Sequence, residues 1–138
     1  MIMAEYYGRA GYLSVWVGDC EQEEMFREYI RFRGTNDGAK SAFYLGEDFG
    51  IMFYDDSCSL VNYLEERTNK LSQLLDTGVP NYVIDKYIAL LGAELSQEYN
   101  CCVMFYEMKY TGKPLETIKS KYGNFTFIGY IEADVMDI

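Results

Sequence analysis

The sequence predicts an α+β fold: a single mixed or antiparallel sheet of about four to five strands packed with about three to four helices. Three observations predict it. Residues Tyr12 to Gly18 alternate, with Leu13, Val15 and Val17 on one face and Tyr12, Ser14 and Trp16 on the other, the period of a strand. Val83, Ile84, Tyr87, Ile88, Leu91 and Leu95 recur at helical spacing after Pro80 and Asn81. Cys101 to Tyr106 is almost wholly apolar, as expected of a central strand covered on both faces.

The remaining elements follow in chain order. Residues 1–11 read as a loose lead-in. After the first strand, Asp19 offers a carboxylate to the free N–H groups of a helix start, and Glu21, Glu23 and Glu24 suit the first turn, where the helix dipole favours negative charge. Met25, Phe26, Tyr29 and Ile30 form the apolar stripe of that helix, which should stop near Arg33-Gly34. Residues 34–41 read as a loop, and Ala42 to Asp48 as a short helical turn. Phe49 to Tyr54 reads as a second strand, and residues 58–66 fit either a strand extension or a helix start. Leu64, Leu71, Leu74 and Leu75 suit a helix ending before Gly78. The longer helix from Pro80 is closed by Asn100. Thr111 to Pro114 is a turn, and Leu115 to Lys121 fits one short helix. Phe125 to Ile131 is the last strand, placed to pair antiparallel with the strand at 101–110. The order is β-α-β-α-α-β-β.

The 138 residues suit one domain spanning 1–138. The 49% hydrophobic content is enough for a core, so disorder is not expected. The formal net charge of −10 repels phosphates and anionic lipid, so neither nucleic acid nor membrane is an expected partner; a basic protein surface is. The absence of histidine removes Ser-His and Cys-His nucleophile systems and imidazole metal sites. The cysteines Cys20, Cys58, Cys101 and Cys102 show no CxxC spacing, and adjacent Cys101 and Cys102 point to opposite faces of a strand, so they do not pair. No signal peptide and no bilayer-spanning apolar stretch is read, and a cytoplasmic protein with reduced thiols is expected.

Candidate chemistry is carboxylate chemistry. Asp48-Phe49-Gly50 matches the metal-binding triplet of protein kinases, but no glycine-rich phosphate loop or His-Arg-Asp accompanies it, so a local role is read: Phe49 in the core and Gly50 in the turn. A strand over 49–54 at about 3.3 Å per residue holds Glu47 and Asp48 too far from Asp55 and Asp56 to share an ion, so no metal or other cofactor is expected. Glu21, Glu24 and Glu28 read as a solvated helix face, with Glu23 and Arg27 placed to pair. Trp16 is expected in the core.

Three segments together resemble one known family. Ser14-Val-Trp-Val-Gly18 is followed by an acidic helix ending in Glu28-Tyr29; Asp48-Phe-Gly-Ile51 leads to Tyr54-Asp-Asp56; Phe127-Ile-Gly-Tyr130 comes near the end. Their order and spacing are similar to those of the immunity protein 22 family of bacterial polymorphic-toxin systems, from about Tyr12 to Ile131. Asp19-Cys20 and Ser57-Cys58 depart from the family's usual residues at those points. The resemblance implies a non-enzymatic cytosolic protein that neutralises a cognate toxin domain; no contact residues are carried over from it.

The expected function is therefore stoichiometric occlusion of a toxin domain with a basic surface, a nuclease being the class that charge suggests. The expected partner-binding residues are Glu47, Asp48, Tyr54, Asp55 and Asp56, then Glu65 and Glu66, because carboxylates flanking a rigid strand combine charge with a fixed scaffold. The alternatives are a carboxylate-dependent or metal-dependent hydrolase, which needs two carboxyl groups within about 5–10 Å in a cleft or a bound divalent ion, and a protein-binding adaptor with no toxin.

Overall fold

Successive strand residues point to opposite faces of a sheet, and here the two faces carry different side chains. The computed structural model describes residues 5–33, 43–52 and 58–134. Its elements are β1 (Gly8–Asp19), α1 (Glu23–Ile30), α2 (Tyr44–Phe49), β2 (Ser59–Lys70), α3 (Leu71–Leu74), α4 (Asn81–Leu91), β3 (Glu94–Met108), β4 (Thr117–Ser120) and β5 (Gly123–Glu132). The strands form one antiparallel sheet in the order β2-β3-β1-β5-β4. The α+β expectation holds.

On one face, Trp16 from β1, Cys101, Val103 and Phe105 from β3, and Phe125 and Phe127 from β5 pack under Phe26 and Tyr29 of α1 and Leu45 and Phe49 of α2. On the other, Leu13, Val15 and Val17, with Cys102 and Met104, pack under Leu71 and Leu74 of α3 and Val83 and Tyr87 of α4. Cys101 and Cys102 thus lie in separate cores, as strand alternation requires.

Two of the sheet's four register shifts lie along β1 and bear on which side chains reach each core. In β5, Val15 pairs with Gly129 but Trp16 pairs with Phe127, so Ile128 is the extra residue of a bulge. Gly129 has φ +115°, open to glycine and strained for other residues. The bulge shifts parity, so Ile128 and Ile131 both enter the aliphatic core. In β1, Gly8 pairs with Met108 and Leu13 with Tyr106, leaving three extra residues on β1. Buried Ser14 closes that gap: its hydroxyl donates to the Met108 carbonyl at 2.9 Å and accepts from the Tyr110 N–H at 3.0 Å.

Several expectations need correction. The chain is already in β1 from Gly8, inside the stretch read as a lead-in, and Glu5 forms a parallel bridge with Ile51. Asp19 does not cap α1; Gln22 stands at that position, and the helix ends at Ile30 rather than near Arg33-Gly34. Phe49 closes α2 instead of opening a strand, with Gly50 at φ 76° as its left-handed cap. Leu64 belongs to β2, Ser59–Lys70, which settles nearly all of 58–66 as strand, and α3 is a single turn. The long helix ends at Leu91, so Leu95 and Asn100 belong to β3. Gly92 at φ 89° ends the helix before the periodic pattern does. Residues 117–120 are a strand, not a helix. Finally, β5 pairs with β1 and β4, while β3 lies between β2 and β1.

Candidate functional site

The carboxylates fall into two sets, those committed to a partner within the chain and those that are not. Glu23 on α1 accepts from Arg27 at 3.0 Å, the pairing its i,i+4 spacing predicts. Glu28 faces Arg31 at 3.8 Å and Arg33 at 2.5 Å, and the Arg33 guanidinium holds its carboxyl below the usual range. Asp19, at the end of β1, accepts from Arg67 Nε at 2.5 Å. Asp48 on α2 accepts from the Tyr29 hydroxyl at 2.6 Å, which ties α2 to α1. Burial, followed by that carboxylate, raises the Tyr29 pKa, so the phenol stays protonated and keeps donating.

The other set makes no ion pair among the described residues; exposed Asp76, Asp85, Glu94, Glu98, Glu116 and Glu132 belong to it elsewhere on the surface, and around α1 it comprises Glu21 just before the helix, Glu24 in its first turn, Glu47 on α2, and Glu65 and Glu66 on β2. The last two owe their position to a break in pairing. Tyr63 pairs with Cys101 and Thr68 with Tyr99, so residues 64–67 of β2 stand opposite Asn100 alone. That surplus arches out of the ladder and projects Glu65 and Glu66, while Arg67 turns back to Asp19 and the Cys20 carbonyl. Asn100, 2% exposed, spends its side chain on the other neighbour of β3, the chain just past β1. Its amide nitrogen donates to the Cys20 carbonyl at 2.7 Å and its amide oxygen accepts the Cys20 N–H at 2.9 Å. A side chain thus supplies the hydrogen bonds a neighbouring strand would have made.

Helix α1 connects the two acidic regions. Phe26 stacks over Tyr63 at 6.2 Å, and Glu23 raises the Tyr63 pKa electrostatically behind the larger effect of desolvation, which places the first turn of α1 beside the β2 arch. Tyr29, one turn on, reaches Asp48. An eight-residue helix is about 12 Å long, so the carboxylates of the arch, α1 and α2 are near one another, interspersed with Arg27, Arg31, Arg33 and Arg67. Gln22, Glu24, Met25 and Glu28 face Lys121 and Tyr122 across a surface groove of about 360 Å³.

Of the seven expected contact residues, Glu47 and Asp48 lie on α2 rather than beside a strand, and Glu65 and Glu66 lie on the arch. Tyr54, Asp55 and Asp56 lie outside the described residues. The strand expected to separate the two acidic pairs does not begin at Phe49. Sequence alone did not single out Arg67, which ties the arch to Asp19 and Cys20, or the part Asn100 plays in holding the Cys20 backbone.

Among the described residues no group of three or more acidic or cysteine side chains is placed to hold a metal ion, and no helix is long and apolar enough to cross a membrane.

Fold and surface together define an α+β sheet protein with the carboxylates of the arch, α1 and α2 carried on a rigid aromatic frame. Residues 13–134 match the family model described as Immunity protein 22, and the chain belongs to that family. Its general role is therefore to neutralise a toxin partner. No curated protein and no solved structure matches the chain.

Proposed function

We propose that this protein, acting as one domain in the cytoplasm of a bacterium with a polymorphic-toxin system, neutralises its cognate toxin by occupying a surface, without catalysis. The exposed carboxylates of the arch, α1 and α2 dock on a basic, substrate-binding surface of the toxin, which fits a nuclease. The observation that carries this reading is the division of the carboxylates. Glu47, Glu65 and Glu66 are exposed and uncommitted, so a partner's Lys and Arg gain them without breaking an internal ion pair. Their scaffold is fixed by Arg67 and the Tyr29–Asp48 bond, so little ordering cost falls on binding. Asp48, Tyr54, Asp55 and Asp56 are proposed as further toxin contacts. Long-range attraction speeds encounter, and aromatic anchors at the interface slow release.

Co-expression with the toxin encoded beside it tests the role: rescue of growth is expected, and a failure to rescue refutes it. Association kinetics test the surface. The double substitution Glu65→Lys/Glu66→Lys is expected to lower the association rate about tenfold or more at low salt, with the deficit shrinking as salt is raised. An unchanged rate places the interface elsewhere.

A further inference from the structure

Cys20 and Cys101 lie in the aromatic core with their sulfurs 3.5 Å apart. They are 0% and 1% exposed and 81 positions apart in sequence; Cys20 follows β1 and Cys101 lies on the neighbouring β3. The geometry follows from the sheet. Gly18 pairs with Cys101, so Cys20, two residues on, shares its face and meets it diagonally. The absence of a side chain at Gly18 leaves room for the Phe125 ring beside the pair; a Cβ there would lie 2.3 Å from it. On the opposite side, a Cβ at Gly123 would lie 2.6 Å from the Cys20 sulfur. The Cys20 backbone is held on both its N–H and its carbonyl by Asn100, and its carbonyl also accepts from Arg67 at 3.4 Å. Two thiols are thus held facing each other 3.5 Å apart, beyond the roughly 2.05 Å of a bond, so closing it takes a local shift of side chains and backbone. Cys102 points into the other core.

We infer that Cys20 and Cys101 form an intramolecular disulfide site: reduced in a glutathione-buffered cytoplasm, closed under oxidising conditions. The oxidant class is a small disulfide such as glutathione disulfide. One thiolate attacks it, forming a mixed disulfide and releasing one glutathione. The second thiolate attacks the protein sulfur of that mixed disulfide, forming the S–S bond and releasing the second glutathione. The two protein thiols lose two protons and two electrons, and glutathione disulfide is reduced to two thiols. Burial pushes the Cys101 thiol up, away from the reactive thiolate, so closure waits on local opening beneath α1 and is slow. Once made, the bond ties Cys20, beside the Asp19–Arg67 pair, to β3 covalently.

The test uses the full chain equilibrated in reduced and oxidised glutathione, then unfolded, alkylated and mapped by mass spectrometry. The expected result in oxidised buffer is a loss of two hydrogens, two alkylated cysteines (Cys58 and Cys102), and a peptide linking positions 20 and 101. The oxidised form should melt about 10 °C higher than the reduced form, because the bond restrains a long loop of the unfolded chain. The variant Cys58→Ala/Cys102→Ala, which keeps the pair, should oxidise likewise. Four alkylatable thiols after equilibration at high glutathione disulfide, or a link through Cys58 or Cys102, overturns the assignment.

Discussion

On the α1/α2 side of the sheet, Trp16 is surrounded by Phe49, Phe105, Tyr110 and Phe127, with ring centroids 4.8 to 5.7 Å apart. On the α3/α4 side, the same strand presents Leu13, Val15 and Val17 to leucines and valines. The aromatic side is also tied by phenols. Tyr29 reaches Asp48, and the Tyr110 hydroxyl donates to the Phe49 carbonyl at 2.8 Å, so each side chain fixes a neighbouring element. On the aliphatic side Tyr87 donates to the Gly129 carbonyl at 2.8 Å, at the β5 bulge, and the Tyr99 hydroxyl makes only a long 3.5 Å bond with that of Thr126. The contrast shows a division of labour. Ring geometry and directed hydrogen bonds hold the side that carries α1 and α2 in one arrangement. Nondirectional burial suffices where the helices only cover the sheet.

The largest test of this contrast is Trp16→Ala. It removes the ring that four others contact, and urea unfolding should show a loss of about 3–5 kcal/mol. The loss should come with weakened near-UV circular dichroism from the aromatic core even where the chain remains folded. A loss near 1 kcal/mol would mean that the rings repack and that the aromatic side is as tolerant as the other.

A smaller test removes one hydroxyl from each side. Tyr87→Phe takes the donor from the part-buried Gly129 carbonyl and from the buried Leu13 carbonyl, which the same hydroxyl reaches at 3.4 Å, and should cost about 1–3 kcal/mol. Tyr29→Phe should cost about 1 kcal/mol or less, because Asp48 is partly exposed and water replaces the lost donor. Equal losses would remove the distinction between a buried tie and a boundary tie.

The smallest effect per group appears as a slope at alkaline pH. Burial raises the pKa of Tyr29 and Tyr87 above the usual phenol value, and pushes Tyr110 up to about 12. The unfolded chain releases these protons near the ordinary value of about 10, so the folded state then holds more protons than the unfolded state. The stability these phenols contribute is complete below pH 10 and is lost as pH rises from there through the folded values. Denaturation midpoints should therefore fall between pH 10 and 12, and less steeply in Tyr87→Phe. A flat profile would show that the phenols are solvated.

The β1 strand, the α1 stripe, the buried 101–106 segment and the core position of Trp16 were legible because each rests on local periodicity: apolar residues recur at the spacing of the element that buries them. The site was less legible. Asn100 looks like a helix terminator because asparagine competes for backbone hydrogen bonds; in the fold that same amide pairs with the Cys20 backbone from 80 positions away. Leu95 continues a helical pattern past Gly92, but the backbone at that glycine has already turned into β3. Glu65 and Glu66 were visible as acidic residues, but not as the crest of an arch.

By itself the sequence determined the α+β class, the two-sided burial of the central strands, the acidic balance and the family, since composition, period and motif order are local properties of the chain. Tertiary structure decided which strands are neighbours, where the ladders slip, which carboxylates are neutralised and which two thiols meet. Those depend on contacts between residues far apart in the chain, and a one-residue bulge such as that at Gly129 reverses the facing of everything after it.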